Sequence, residues 1–301
     1  MAQTFLLTGA TGSVGKALVR ELAGANIRVL ARSPEAAERA LPGIKAFRWQ
    51  IGEPVPAEAA RGADAIIHLA GVPIAEKRLT AARMQEIHDS RVVGTRAMVE
   101  AAKEHGIPAL VCASAVGIYE PDADAELGED ARQANSPLAN VCKAWEAEAV
   151  RAESFGTRVV RIRIGIVLDT EAGALGKVLP LFKLGLGGPL SSGKQWMPWI
   201  HVQDVAGLFA FAATHHLVHG VLNASAPHPV TNNSYTEALA RAVNRPAVLR
   251  VPGLALRVAL GELGNLALMS QRMVPKNALA AGFTFRFPTI SGALDDLLRH
   301  V

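Results

Sequence analysis

The sequence predicts an α/β fold: a doubly wound parallel sheet carrying a smaller C-terminal lobe. Three observations predict it. Short apolar and β-branched runs alternate with segments of helical period, several of those runs are apolar throughout as strands covered on both faces are, and a glycine-spaced turn joins the first run to the first helical segment. Residues 4–8 form the first strand and lead into Gly9-Ala10-Thr11-Gly12-Ser13-Val14-Gly15. Val14, Ala17, Leu18 and Leu22 then recur at helical spacing with Lys16, Arg20 and Glu21 between them, which makes 13–24 the first helix. Strands follow at 27–31, 45–49, 65–70, 109–114 and 158–168, and helices at 35–41, 80–105 and 136–155. Gly24, Gly62, Gly106 and Gly156 stand where a helix or turn stops. After Asp169 the texture becomes rich in glycine, from Gly173 to Gly193, and it changes again near Val251-Pro252. The expected organisation is a Rossmann-type domain over 1–225 with a Gly/Trp-rich insertion at 171–200, then a C-terminal lobe over 226–301.

The chain has 301 residues, 50% of them hydrophobic and 19% charged, enough for a sizeable core. Its net charge of +4 is spread along the sequence, which argues against a nucleic-acid footprint. Cys112 and Cys142 are its two cysteines and both lie in apolar or helical stretches, as in a protein of a reducing compartment. No apolar run has membrane-spanning length, and the apolar start lacks a basic leader, so the expected location is the cytoplasm. His215, His216 and His219 have no acidic or cysteine partner at ligand spacing, and no metal is expected.

The glycine turn has the context of a dinucleotide pyrophosphate site, because it follows a strand and opens an amphipathic helix. Gly12 lets the backbone approach phosphate oxygens, and the helix start presents unpaired N–H groups from Ser13, Val14 and Gly15, with Thr11 beside them. The second strand ends in Arg32-Ser33-Pro34 with no acid at its tip. An acid there would bond the ribose 2′-hydroxyl of NAD, whereas Arg32 suits the 2′-phosphate of NADP(H), and Ser33 reads as a helix N-cap whose hydroxyl joins that site.

Further along stand Ile67-His68-Leu69-Ala70-Gly71, Ser90-Arg91 with Gly94-Thr95-Arg96, Ser114-Ala115-Val116-Gly117-Ile118-Tyr119, Trp145-Glu146, Pro198-Trp199-Ile200-His201 and, in the tail, Val274-Pro275 and Gly282-Phe283. With the glycine loop these resemble an atypical branch of the extended short-chain dehydrogenases/reductases, the sugar-nucleotide epimerase-like proteins, over nearly the full length. The resemblance implies a Rossmann core, an NADP(H) site and a small lobe over the substrate cleft. It places Leu69, Ala70 and Gly71 beside the cofactor, Glu86 and Arg91 near it, and Ser114 and Val167 on the nicotinamide side. It also implies a small-molecule substrate such as a nucleotide sugar, and either a monomer or a homodimer.

Reductases of the wider family use a serine, a tyrosine and a lysine four residues after the tyrosine. Ser114 matches the serine. Tyr119 and Tyr235 are the two tyrosines, and Ala123 and Leu239 stand four positions on, so no such pair exists. Counting back from Trp145-Glu146 puts Leu138 and Cys142 at the two positions. Ser114 and Tyr119 are therefore the candidate catalytic residues, with Tyr119 at the carboxyl end of the sheet where ligands of open α/β sheets bind. Lys194, Trp196, Trp199 and His201, in or beside the insertion, are candidate substrate contacts: aromatic faces for a ring, a cation for an anionic group, and an imidazole that titrates near neutrality. Two functions fit: an NADP(H)-dependent oxidoreductase or epimerase, and a catalytically idle NADP(H)-binding sensor or scaffold.

Overall fold

The structure is a computed structural model that describes residues 2–74 and 76–299. The chain runs β1 (Thr4–Thr8), α1 (Ser13–Glu21), β2 (Asn26–Ala31), α2 (Pro34–Ala40), β3 (Lys45–Arg48), α3 (Ala57–Ala60), β4 (Ala65–His68), α4 (Ala81–His105), β5 (Ala109–Ala115), β6 (Glu126–Leu127) and α5 (Pro137–Val150). It continues through β7 (Arg158–Ile164), β8 (Ile166–Leu168), α6 (Gly173–Lys183), β9 (Trp196–Met197), β10 (Trp199–His201), α7 (Val202–Thr214), β11 (Gly220–Ala224), β12 (Val230–Thr231) and α8 (Asn232–Ala242). The last elements are α9 (Gly253–Leu260), α10 (Glu262–Leu268), β13 (Arg272–Met273), α11 (Lys276–Ala280) and α12 (Ile290–Leu298).

Seven strands form one parallel sheet in the order β11-β7-β5-β4-β1-β2-β3, the doubly wound sheet expected from the sequence. Thr8 on β1 lies level with Leu30 on β2 and His68 on β4, so these strand tips end together at one edge. Helix starts follow local chemistry: Thr80 and Ser136 cap α4 and α5 by accepting from Arg83 and Ala139 backbone N–H groups, and Pro137 takes the first helical position of α5. The main core fills both faces of the sheet with Leu6, Leu7, Ile66, Ile67, Val111, Val160 and Phe209, and Ala278 and Phe285 from the C-terminal stretch join it.

The expected strand at 158–168 is two strands. Gly165 breaks it, because a Cβ there would sit 2.0 Å from the Pro198 carbonyl oxygen, and that oxygen accepts the Ile166 N–H at 2.6 Å. The chain leaves the sheet at this point and β8 pairs in parallel with β10. The helix expected over 136–155 closes with a 3-10 turn at Arg151–Phe155. The sequence reading gave no strand at β11, which opens on glycine and carries Asn223, yet it completes the sheet beside β7. A second core joins Leu168, Leu175, Phe182 and Trp199 to Tyr235, Leu239 and Leu294, so the insertion and the C-terminal helices share one interior. Among the described residues no helix is long and apolar enough to cross a membrane.

Candidate cofactor site and buried polar cluster

The glycine turn between β1 and α1 is a cradle with one open position. Gly9 has φ +69°, and a Cβ there would meet the Ala70 backbone nitrogen at 2.9 Å; a Cβ on Gly15 would lie 2.3 Å from the Gly9 oxygen. Those two glycines serve close packing. Gly12 differs: it is exposed, caps α1, and a Cβ would meet only the Gly9 oxygen, at 3.4 Å. The space before the helix start is therefore bounded by N–H groups, with no acidic residue in the first turn. Thr11 is exposed beside it, Val14 packs on the core, and the Ser13 hydroxyl donates to the Asp169 carboxylate. At the β2 tip Arg32 is exposed and forms no hydrogen bond or ion pair among the described residues. Ser33 occupies the N-cap of α2, but its hydroxyl points to Glu35, 3.4 Å away, rather than capping its own helix.

The β1 and β4 tips are locked together. Thr8 Oγ1 accepts from the Leu69 and Ala70 N–H groups at 3.1 and 3.0 Å, so its hydrogen goes to His68 Nδ1 at 2.7 Å. The ring hydrogen of His68 then sits on Nε2, which is buried and unbonded. Burial, helped by the nearby Arg91 charge, pulls the His68 pKa down to about 4.

Ser114 and Tyr119 belong to a second assembly, buried between the sheet and the chain that covers its end. Ser114 Oγ donates to Glu146 Oε1 at 2.7 Å. Arg163 clasps the same carboxylate through Nε and Nη2 at 2.8 and 2.9 Å, and its Nη1 donates to Tyr119 Oη at 2.8 Å and to the Glu129 carbonyl at 3.0 Å. Tyr119 Oη in turn donates to Asn223 Oδ1 at 2.6 Å, and Asn223 Nδ2 donates to the Leu127 and Val274 carbonyls at 3.2 and 3.0 Å. Tyr119 is fully buried, and burial pushes its phenol up to about 12. Glu146 enters the sequence motifs only beside Trp145, with no site role, and Arg163 and Asn223 enter none of them. The signal available was Arg161 and Arg163 two apart, after Arg158, among the apolar residues of one strand.

Arg91, on α4, lies partly buried beside the β4 tip. Its Nη1 donates to the Val72 and Ile87 carbonyls at 3.1 and 3.3 Å and lies 3.4 Å from Ser90 Oγ, and its guanidinium stacks 5.1 Å from the Trp145 ring centre. Cys142 faces it, and burial pushes that thiol up to about 11. Glu86 is exposed and pairs with Arg83 at 2.8 Å, not with Arg91.

The insertion residues do not converge. Lys194 is exposed, and Trp196 is half-buried under the Arg272 guanidinium at 4.7 Å. Trp199 is buried in the second core. His201 is fully buried, caps α7 by accepting the Gln203 N–H at 3.0 Å, stacks on Phe287 at 3.8 Å and faces Asp296 at 3.4 Å; burial takes it down to about 4. Val167 packs against the main core and lies level with Ile200.

A parallel doubly wound sheet with a glycine cradle at the first strand tip defines a Rossmann-like protein. Residues 5–224 match the NAD dependent epimerase/dehydratase family, and residues 251–297 match a domain of unknown function, DUF1731. An epimerase family protein of Mycobacterium leprae is 36% identical over 294 residues, 96% of this chain and 93% of that one. Epimerase family protein SDR39U1 of Mus musculus is 34% identical, covering 97% of this chain and 99% of its own. The crystal structure of human epimerase family protein SDR39U1 (isoform 2) with NADPH superposes with a TM-score of 0.90 at 30% identity, covering 99% of this chain and 100% of that one. The chain belongs to the NAD dependent epimerase/dehydratase family.

Proposed function

We propose that the protein binds NADP(H) and acts as an oxidoreductase or epimerase on a small polar molecule, with nucleotide sugars the first class to try. The observation that carries the cofactor is the open position at Gly12, where space rather than protein meets the start of α1. Gly9 to Gly15 would hold the pyrophosphate, Arg32 and Ser33 the 2′-phosphate, and Leu69, Ala70 and Gly71 would flank the dinucleotide. The human relative solved with NADPH supports this choice. Bound there, the nicotinamide supplies hydride transfer. In this reading residues 226–301, with the insertion, form the substrate-side lobe, and the two buried free thiols suit a reducing compartment such as the cytoplasm.

The chain's own residues set limits on the chemistry. Ser114 spends its hydrogen on Glu146, so towards a ligand it accepts from a hydroxyl and does not polarise a carbonyl. Tyr119 gives its proton to Asn223 and is closed off from solvent, which makes it a positioning residue. These two facts favour a second reading, a catalytically idle cofactor-binding sensor. Fluorescence titration tests the cofactor: NADPH should bind more tightly than NADH, and the reverse order overturns the 2′-phosphate assignment. Gly12→Val should abolish binding while lowering stability by no more than about 1 kcal/mol, since its side chain enters the cradle and not the core. Incubating the NADP+-loaded protein with nucleotide sugars, and following sugar inversion by NMR and any reduced cofactor by its fluorescence, separates enzyme from sensor.

A further inference from the structure

We propose that the outer face formed by the insertion and by the chain from Arg241 through α9 docks on an anionic phospholipid surface. The inference goes beyond the cofactor reading and does not rest on it. It begins from charge. Residues 172–203 hold three lysines, residues 238–261 hold four arginines, and neither segment has an Asp or Glu. Seven of the chain's 31 Lys and Arg fall there, leaving 24 against its 27 acidic groups. The excess of +4, which the sequence reading took as spread along the chain, therefore resides in these two segments. The fold lays them side by side. The Leu249 N–H donates to the Gly187 carbonyl at 3.2 Å, the Ser191 N–H to the Val251 carbonyl at 2.8 Å, and Arg245 Nε to the Lys183 carbonyl at 3.1 Å.

The same segments are apolar at their surface. Leu184, Val248, Leu254 and Val258 are 71%, 77%, 72% and 70% exposed, and Leu186 and Leu249 are exposed by about half. Leu254 and Val258 stand one turn apart on α9, a helix with no buried residue among those described. Single exposed leucines need no explanation, but six in adjoining segments, interspersed with Lys183, Arg241, Arg245, Arg250 and Arg257, do. A second copy meeting this face with its own would set positive charge against positive charge. A nucleic acid would answer the cations and leave the leucines in water. An anionic bilayer answers both, with headgroups for the cations and the acyl boundary for the apolar side chains. A shallow cavity of about 300 Å³ adjoins the Lys183 carbonyl and supports that occupant. It is lined by Arg241, Asn244 and Arg245 with Ala240 and Pro246, and Arg241 forms no hydrogen bond or ion pair among the described residues. Such a basin suits a headgroup phosphate.

Co-sedimentation of the full chain with vesicles tests the proposal. Phosphatidylcholine vesicles carrying about 30 mol% phosphatidylglycerol should bind the protein at least about tenfold more tightly than phosphatidylcholine alone. Raising the salt to about 0.5 M should weaken that binding by a similar factor. Both comparisons use the wild type and stand whatever a substitution does to folding. Leu184→Ser with Val248→Ser removes two exposed apolar side chains, and Arg241→Glu with Arg257→Glu reverses two charges; each pair should weaken binding about tenfold or more. All four side chains are exposed, so Tm should hold within about 2 °C. Leu217→Ser, at a leucine 80% exposed in the turn before β11, should bind as the wild type does. The proposal is overturned if the wild type binds neither vesicle, if it binds neutral and anionic vesicles equally, or if both variant pairs bind as the wild type does. It is overturned as well if vesicles go unbound while light scattering shows self-association that Leu184→Ser with Val248→Ser abolishes, which gives the face to a second copy.

Discussion

Arg163 and Arg91 each lay a guanidinium against an aromatic ring, 4.9 Å from Tyr119 and 5.1 Å from Trp145. Around Arg163 every arm of the fork is occupied: Glu146 takes the side-on edge and Tyr119 with the Glu129 carbonyl takes Nη1. Around Arg91 only Nη1 is held, and by neutral groups. The difference shows how one fold handles a buried and a partly buried cation. A charge with a partner in the chain holds distant elements together, whereas the Arg91 charge is held by neutral groups alone and ties α4 only to its own turn and to the chain just past β4. By the same criterion Ser114 and Tyr119 fall on the closed side, because both give their hydrogens to partners inside the protein.

The comparison breaks or sharpens at definite points. Arg163→Met leaves the buried Glu146 with only the Ser114 hydroxyl and the longer Arg161 contact at 3.5 Å, and should cost about 3 kcal/mol of stability in urea denaturation; a loss under about 1 kcal/mol would dissolve the distinction. Acid is the next largest perturbation. His68 is held neutral in the fold with a pKa near 4, against an ordinary 6.5. Between those values the unfolded chain binds more protons, so stability is full above 6.5 and falls as pH drops towards 4, by roughly 3 kcal/mol from this residue. His68→Asn should flatten that slope in unfolding curves taken against pH. Tyr119→Phe strands the Asn223 oxygen and should cost about 1–3 kcal/mol while leaving NADPH affinity unchanged; lost affinity would move Tyr119 to the open side. Smallest is Arg91→Met, which breaks no ion pair within the protein and should shift the unliganded stability by less than about 1 kcal/mol.

The first βα unit was legible because its determinants are local: a strand, a glycine turn and a helix period lie within residues 4–24. The sheet followed from the same alternation. What the sequence concealed is set by distant contacts. Gly165 breaks a continuous β pattern only because the Pro198 carbonyl arrives beside it from 33 residues away. Glu146 was visible as part of a motif, but it lies on α5 and its partners Ser114 and Arg163 come from β5 and β7, so nothing in its neighbourhood announced an ion pair. Tyr119 looked available for chemistry, being near the end of a strand, and its enclosure depends on Asn223, 104 residues later. The tryptophans of the insertion carry no period that separates a core face from a cleft face, and the second core claimed Trp199.

The seam between β6 and β13 has a consequence for the order in which the molecule assembles. Arg272 and Met273 pair with Glu126 and Leu127, the Val274 carbonyl accepts from Asn223, and the Asn277 N–H donates to Glu129. The buried cluster beneath the sheet's carboxyl end therefore stays incomplete until residues near 277 have left the ribosome and docked. Strands β1 to β5 can pair long before that, but the segment around Glu129 waits for more than a hundred further residues. A nascent chain thus keeps this buried cluster open until the stretch around Asn277 has emerged, and that stretch serves as a late clasp on the domain begun first.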